Sequence, residues 1–358
     1  MTRSRKSLGR ILRIVDVVLI SMILSSCVSK GKDKWPAIER LDLENYPEAV
    51  FLSTDIGSPS FKAKHFYVIA DSILISVNHP SEGQKVVTLS DLYSNKVYGE
   101  YLAYGNGPGE ALICTDHLYR DTLYINDVAK KKLYTFVPTT IIRNSLPLES
   151  IPVFDYQGYG LTPFVTKLDS NSVLCENPYY FSDGQSRIFN NAKNRFDRYS
   201  VTDGPRMEHF KYDTYNVSQG ILVPINDKVF YASSSKPLIE VYNKDGSRLK
   251  LMVGPSQLPA RYSISQGSVT FKEKVPYAYL SYCITDNYLY FNYIGGYYEE
   301  GYNNLHSTIL KFDFNGNLIA SFILPEYISS FSVIDDNLIY GKGYNDQGET
   351  ILKKLFRE

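Results

Sequence analysis

The stretch Phe66–Val77, FYVIADSILISV, decides the fold. Two short apolar runs flank a turn at Asp71 and read as a β-hairpin. Aspartate suits the turn because its side chain hydrogen-bonds the local backbone and tolerates a left-handed conformation. The same unit returns as DHLYRDTLYIND from Asp116, FVTKLDSNSVLCE from Phe164 and ILVPINDKVFYA from Ile221. It returns again as LSYCITDNYLYFN from Leu280 and SFSVIDDNLIYG from Ser330. The turn aspartates 71, 121, 169, 227, 286 and 335 are spaced by 50, 48, 58, 59 and 49 positions. A third strand follows in phase, as in VVTLSD from Val86, KLYTFV from Lys132, LIEVYN from Leu238, ILKFDF from Ile309 and ILKKLF from Ile351. Fourth strands follow at Arg248–Val253 and Leu318–Leu324.

Repeats of roughly 40 to 50 residues with four strands each define a β-propeller. Six cassettes predict an all-β, six-bladed β-propeller of four-stranded antiparallel blades over residues 37–358. The last cassette stops at Glu358 after three strands. An N-terminal strand must close the ring or leave an unpaired edge. Ile38–Leu43, IERLDL, alternates apolar and polar side chains and is the expected closing strand.

Residues 1–26 read as a lipoprotein signal peptide. Arg3, Arg5, Lys6, Arg10 and Arg13 precede an apolar run, Ile14–Leu24, interrupted by Asp16. That run is shorter than the roughly 20 residues that span a bilayer, as expected of a cleaved signal. Leu24-Ser25-Ser26-Cys27 resembles a bacterial lipobox. The resemblance implies a diacylglyceryl thioether on Cys27 and anchorage in the lipid bilayer, with residues 27–36 as a flexible tether. The expected address is the Gram-negative cell envelope, on an outer membrane and facing the periplasm.

The second cassette carries a sharper signature. Gly105–Glu110, GNGPGE, precedes LYINDVAKKKLYTF, and together they resemble an NHL-type propeller repeat. Lipobox, cassettes and GNGPGE make the chain similar to the TolB-like six-bladed propeller lipoproteins of anaerobic Gram-negative bacteria. The likeness covers Ile38 to Glu358. It implies a fold and an address outside the cytoplasm, and it transfers no reaction and no catalytic residue.

Composition excludes several functions. The chain has 38 basic and 38 acidic residues, so no nucleic-acid footprint is expected. Cys114, Cys175 and Cys283 are widely spaced without a C-x-x-C pair and read as buried hydrophobes. There is no G-x-S-x-G elbow for a peptidase. The single tryptophan, Trp35, excludes the Trp-bearing sialidase and quinoprotein propeller motifs. His65, His79, His117, His209 and His306 are scattered, so neither a metal site nor a cofactor is expected.

The expected function is a monomeric binding or scaffolding module for an envelope protein, a carbohydrate or a peptide. The alternative is a channel-mouth enzyme such as a metal-dependent lactonase or lyase, for which Glu110 and Asp116 are oxygen ligands of the right kind for Ca²⁺. Loops between blades pass near the channel mouth of a propeller. That nominates Asn106, Glu110 and His117, and Arg206 and Arg261 beyond the Gly-Pro pairs at Gly204 and Gly254. GNGPGE also reads as a plain structural turn. A second candidate surface is the tyrosine-rich extension from Tyr288 to Tyr302, with Tyr297 and Tyr298 at its tip. Tyrosine presents large contact area at low entropic cost and keeps a polar tip.

Overall fold

The computed structural model describes residues 38–44 and 51–56, then 61–140 apart from 71, 80–83, 120, 121 and 131. It describes the backbone of strands between 149 and 209, and 220–357 apart from 245–247, 257, 259–261, 266 and 267. The signal peptide, Cys27 and the whole tether, Arg261, Asp71 and Asp121 lie outside the described residues.

The cassettes fold as antiparallel sheets in chain order. The first is His65–Ile69, Ile73–Val77, Lys85–Asp91 and Val97–Tyr104, extended in parallel by Glu110–Ala111. The second is Cys114–Tyr119, Thr122–Asp127, Lys132–Phe136 and Glu149–Pro152. The third is Val165–Asp169, Ser172–Glu176, Phe196–Ser200 and Gly204–His209. The fourth runs from Gly220–Ile225 to Arg248–Val253, and the fifth from Pro276–Ile284 to Leu318–Ile323. The sixth contains Ser330–Asp335, Leu338–Tyr344 and Thr350–Arg357. A separate hairpin pairs Tyr262–Ser265 with Ser268–Phe271.

The propeller is as expected, but it has five blades rather than six around its axis. The first strands of cassettes one, two, four, five and six line a common central cavity. His117 of the second cassette meets the Tyr282 hydroxyl of the fifth. Tyr119 packs on the core shared by the fourth and fifth. A six-bladed ring would hold the second and fifth cassettes on opposite walls. The third cassette makes its own sheet, with Val165–Asp169 beside the Thr122–Asp127 strand. Composition sets it apart: VTKLD carries two charges in five residues, whereas ILVPI of the fourth cassette carries none.

Ring closure is also corrected. An N-terminal strand does complete the last sheet, but it is Phe51–Ile56, antiparallel to Thr350–Arg357. Ile38–Arg40 instead runs parallel to Leu251–Val253 on the outer edge of the fourth sheet. The side chains of Ile38–Arg40 are all exposed, and the following Leu41, 4% exposed, seats this segment on the core of the fourth and fifth sheets instead. FLSTDI is anchored on the last sheet: Phe51 is 3% exposed and meets Phe322 edge-on, with ring centroids 5.7 Å apart. Asp55 adds a charge contact, since its carboxylate lies 2.9 Å from the Lys353 ammonium.

Closure by Phe51 generates a stability contrast. Phe51→Ala is expected to cost about 3–5 kcal/mol, the usual range for deleting a buried aromatic side chain. Ile38→Ala, at a residue 65% exposed, is expected to stay within about 0.5 kcal/mol of the parent. Urea denaturation measures both, and equal losses would rule out Phe51–Ile56 as the closing strand.

Candidate functional site

The central cavity has a volume of about 240 Å³. Its most ordered wall comes from the first and second blades. Strand alternation sends Phe66 and Val68 into the core and His65 and Tyr67 to the opposite face. There the Asp116 carboxylate lies 2.8 Å from His65 Nδ1 and accepts the Tyr67 hydroxyl proton at 2.8 Å. Burial alone would raise the Asp116 carboxyl. The His65 charge and hydrogen bond, the Tyr67 hydroxyl and Lys64 overcome it and hold the group below its usual value. An ionised carboxylate can only accept, so His65 Nδ1 carries the proton. The Asp116 side chain is fully buried, whereas that of His65 is 42% exposed. The pair therefore presents an imidazole edge backed by a fixed negative charge. Burial, then Asp116, pushes the Tyr67 hydroxyl well above its ordinary pKa, so it stays a donor.

The rest of the wall is mostly apolar, with Phe66, Ile221, Leu280 and Phe331. Two polar groups interrupt it. Ser281 and Ser330 border the cavity, and their buried hydroxyls have no hydrogen-bond partner among the described residues. Buried polar groups are normally satisfied, so these two stand out. Nearby charge is mixed, with Lys64 beside the Asp116 carboxylate. Lys64 lines the cavity. Burial, then Lys64, His65 and Lys342, lowers the pKa of His79.

The nominated loop residues are placed as follows. Glu110 Oε2 accepts the Gly107 N–H at 2.5 Å. The Glu110 carbonyl accepts from Lys130 Nζ and from the Tyr134 hydroxyl. Gly109 sits at φ +70°, a conformation that favours glycine. GNGPGE is thus a turn tied down by its own glutamate, with Asn106 exposed on it. His117 is buried inside the ring, with its imidazole against Tyr282 and Tyr124. Arg206 lies on the outermost strand of the third sheet. Tyr297 ends the Tyr288–Tyr297 strand, and Tyr298 opens a short 3-10 turn. None of these residues borders the central cavity among the described residues.

Sequence reading set His65 aside as a scattered histidine and considered Asp116 only as a metal ligand. The usable signal was phase. Asp116 and Phe66 open equivalent repeats, so His65 and Asp116 sit one cassette apart on adjacent inner strands. The two described thiols offer no nucleophile. Burial, aided by Asp127 and Asp116, pushes Cys114 up to about 12, and burial pushes Cys283 up to about 11. Among the described residues, no group of three His, Cys, Asp or Glu side chains could hold a metal ion.

Comparison with known proteins extends to the fold alone. No family model matches the chain, and no curated protein matches it significantly. A protein of Bacteroides fragilis, provisionally described as exported, aligns with a TM-score of 0.52 at 12% identity, over 90% of this chain and 99% of its own. A member of the DUF4221 family from Bacteroides vulgatus aligns with a TM-score of 0.54 at 9% identity, over 88% of this chain and 99% of its own. The chain is similar to both in architecture.

His117 predicts a pH signature. Burial pushes its pKa from the usual 6.5 down to about 3. Between those values the unfolded chain holds a proton at this position and the folded chain does not. Stability therefore falls as pH drops below 6.5 and keeps falling to about 3. Asp116 acts in a lower window: its depressed carboxyl stabilises above the usual 3.8, and that share is lost as pH falls through the folded value. Urea midpoints measured from pH 7 to 4.5 are expected to decline, with a shallower decline in His117→Gln. Parallel profiles for the two proteins would refute the assignment.

Proposed function

We propose that the chain is a lipid-tethered, extracytoplasmic propeller that binds a small carboxylate in its central cavity. One observation carries the ligand: a small cavity whose otherwise apolar wall holds a lysine and two hydroxyls without a partner among the described residues. Lys64 supplies the cation, while the Ser281 and Ser330 hydroxyls supply donors that the described residues leave unused. Asp116 is spent on His65 and Tyr67, so its charge is masked. The volume, about 240 Å³, falls below the 300–1,000 Å³ typical of drug-sized ligands and fits something smaller. A second reading rests on the same pair. A histidine oriented by a buried aspartate is a general base, which would make the cavity the site of a proton-abstracting enzyme such as a lyase.

The address rests on the lipobox at Cys27 and the NHL-type and TolB-like sequence likeness. The provisional description of the Bacteroides fragilis protein as exported accords with it. Anchorage in a bilayer needs more than one acyl chain, which a diacylglyceryl cysteine provides. The proposed setting is the periplasmic side of an outer membrane, with the propeller acting as a monomer.

Two measurements test these readings separately. Cys27→Ser is expected to move the protein from the membrane to the soluble fraction; a wild-type protein already soluble would end the lipoprotein reading. In a thermal-shift comparison, butyrate and hexanoate are expected to raise the melting temperature, and butylamine is not. Ser330→Ala should weaken carboxylate binding about tenfold, the worth of one hydrogen bond to a charged group. Equal responses to acid and amine, or none to either, would refute the carboxylate site.

A further inference from the structure

A second concavity lies away from the cavity, where the sheets of the fifth and sixth cassettes meet. It has a volume of about 320 Å³ and is built from three connections. These are the segment after Tyr297, the link Pro325–Tyr327 and the turn Asn345–Gly348. Strand direction alternates, so all three lie at the end of the sheets where the first strands begin. The central cavity is lined by the same ends of its strands at His65, Thr115 and Gly220.

One side of this groove is aromatic. Tyr302 stacks on Tyr344 with ring centroids 4.8 Å apart and planes 10° apart. Tyr327 backs both rings, at 4.9 Å from Tyr302 and 6.2 Å from Tyr344. Tyr298 stands edge-on to Tyr302 and is 57% exposed. The other side carries Asn303, His306, Asn345 and Asp346. The segment that bears Tyr302 is held in place. Glu299 accepts the Val275 N–H, Glu300 accepts the Tyr297 N–H, and the Asn304 amide donates to the Glu300 carbonyl. The aromatic face is thus presented already ordered, which lowers the entropic cost of binding.

The cation of the groove floor is covered by two carboxylates. Lys353 Nζ lies 2.8 Å from Glu326 Oε2 and 2.9 Å from Asp55 Oδ1, and Glu326 also accepts the Ser53 hydroxyl. No uncompensated cation is left to select an anion. A strand-like peptide would need a free sheet edge to pair with, and turns rather than strand edges form the rim. What remains is a tyrosine cluster, with Tyr302 and Tyr298 exposed, beside planar amide, imidazole and carboxylate groups. That combination matches a sugar ring, which offers an apolar C–H face for stacking and a girdle of hydroxyls that both donate and accept.

We propose that this groove is a binding site for a neutral oligosaccharide, with Tyr302 and Tyr344 as the stacking platform and Asn303 and Asp346 holding ring hydroxyls. The site is independent of the carboxylate reading of the central cavity. It would let a tethered propeller hold a polymer at its rim while its centre takes a small molecule.

The test uses the intact chain in a detergent without a sugar headgroup. Hexasaccharides of α-1,4-glucan, β-1,4-glucan, β-1,3-glucan, β-1,4-mannan and β-1,4-xylan are titrated calorimetrically. At least one is expected to bind. Tyr302→Ala should weaken that binding by about tenfold or more, and Tyr302→Phe, which keeps the ring, should retain most of it. Tyr302→Phe, which keeps the ring contacts with Tyr327 and Tyr344, should melt with the parent, and Tyr302→Ala, which loses them, should melt somewhat lower while staying folded at the titration temperature. His65→Ala should leave saccharide affinity unchanged. Binding by none of the five, equal binding by Tyr302→Ala and the parent, or loss on His65→Ala would each overturn the proposal.

Discussion

Everything in this propeller depends on one pairing, that of Phe51–Ile56 with Thr350–Arg357. A ring of sheets is stable only when its last blade has a full set of strands, and the chain supplies three of them at its C-terminal end. The fourth comes from about 300 positions earlier, so closure joins the two ends of the domain. It satisfies the backbone groups of the last strand and brings Phe51 onto Phe322. It also places Asp55 beside Lys353, whose second carboxylate partner, Glu326, lies in the link between the fifth and sixth cassettes. Backbone pairing, aromatic packing and two carboxylates on a buried ammonium thus converge on one seam.

The sequence made the strands legible because each cassette repeats the same local chemistry. Apolar runs flank an aspartate turn, and that grammar survives into the structure at Asp227 and Asp335. Two features were hidden. Blade number was misread because a repeat counts cassettes, not the strands that face the axis. The polar VTKLD strand folds as sheet without joining the described channel wall. The closing strand was misassigned because IERLDL has better alternation than FLSTDI. Alternation is a property of a strand, whereas anchoring is a property of what it meets, here Phe322 and Lys353.

The candidate site shows the same division. GNGPGE drew attention as a motif, and its glutamate is used up holding its own turn. His65 and Asp116 carry no motif at all. They become a pair only because adjacent inner strands bring equivalent positions together, a relation that requires knowing which strands are neighbours. The tyrosine-rich extension was legible from composition as an aromatic segment. Its fixed geometry was not, since it depends on glutamates that reach back to Val275 and Tyr297.

The two buried thiols carry a consequence of their own. Cys114 belongs to the core shared by the first and second blades, and Cys283 receives the Val333 N–H across the boundary between the fifth and sixth. With pKa values pushed to about 12 and about 11, neither forms appreciable thiolate in the folded chain, so both are silent toward oxidants and alkylating reagents. Each becomes reactive only when its own boundary opens. Among the described residues these two thiols are therefore built-in clocks, one at each of two separate boundaries, and their relative labelling rates report which of the two lets go first.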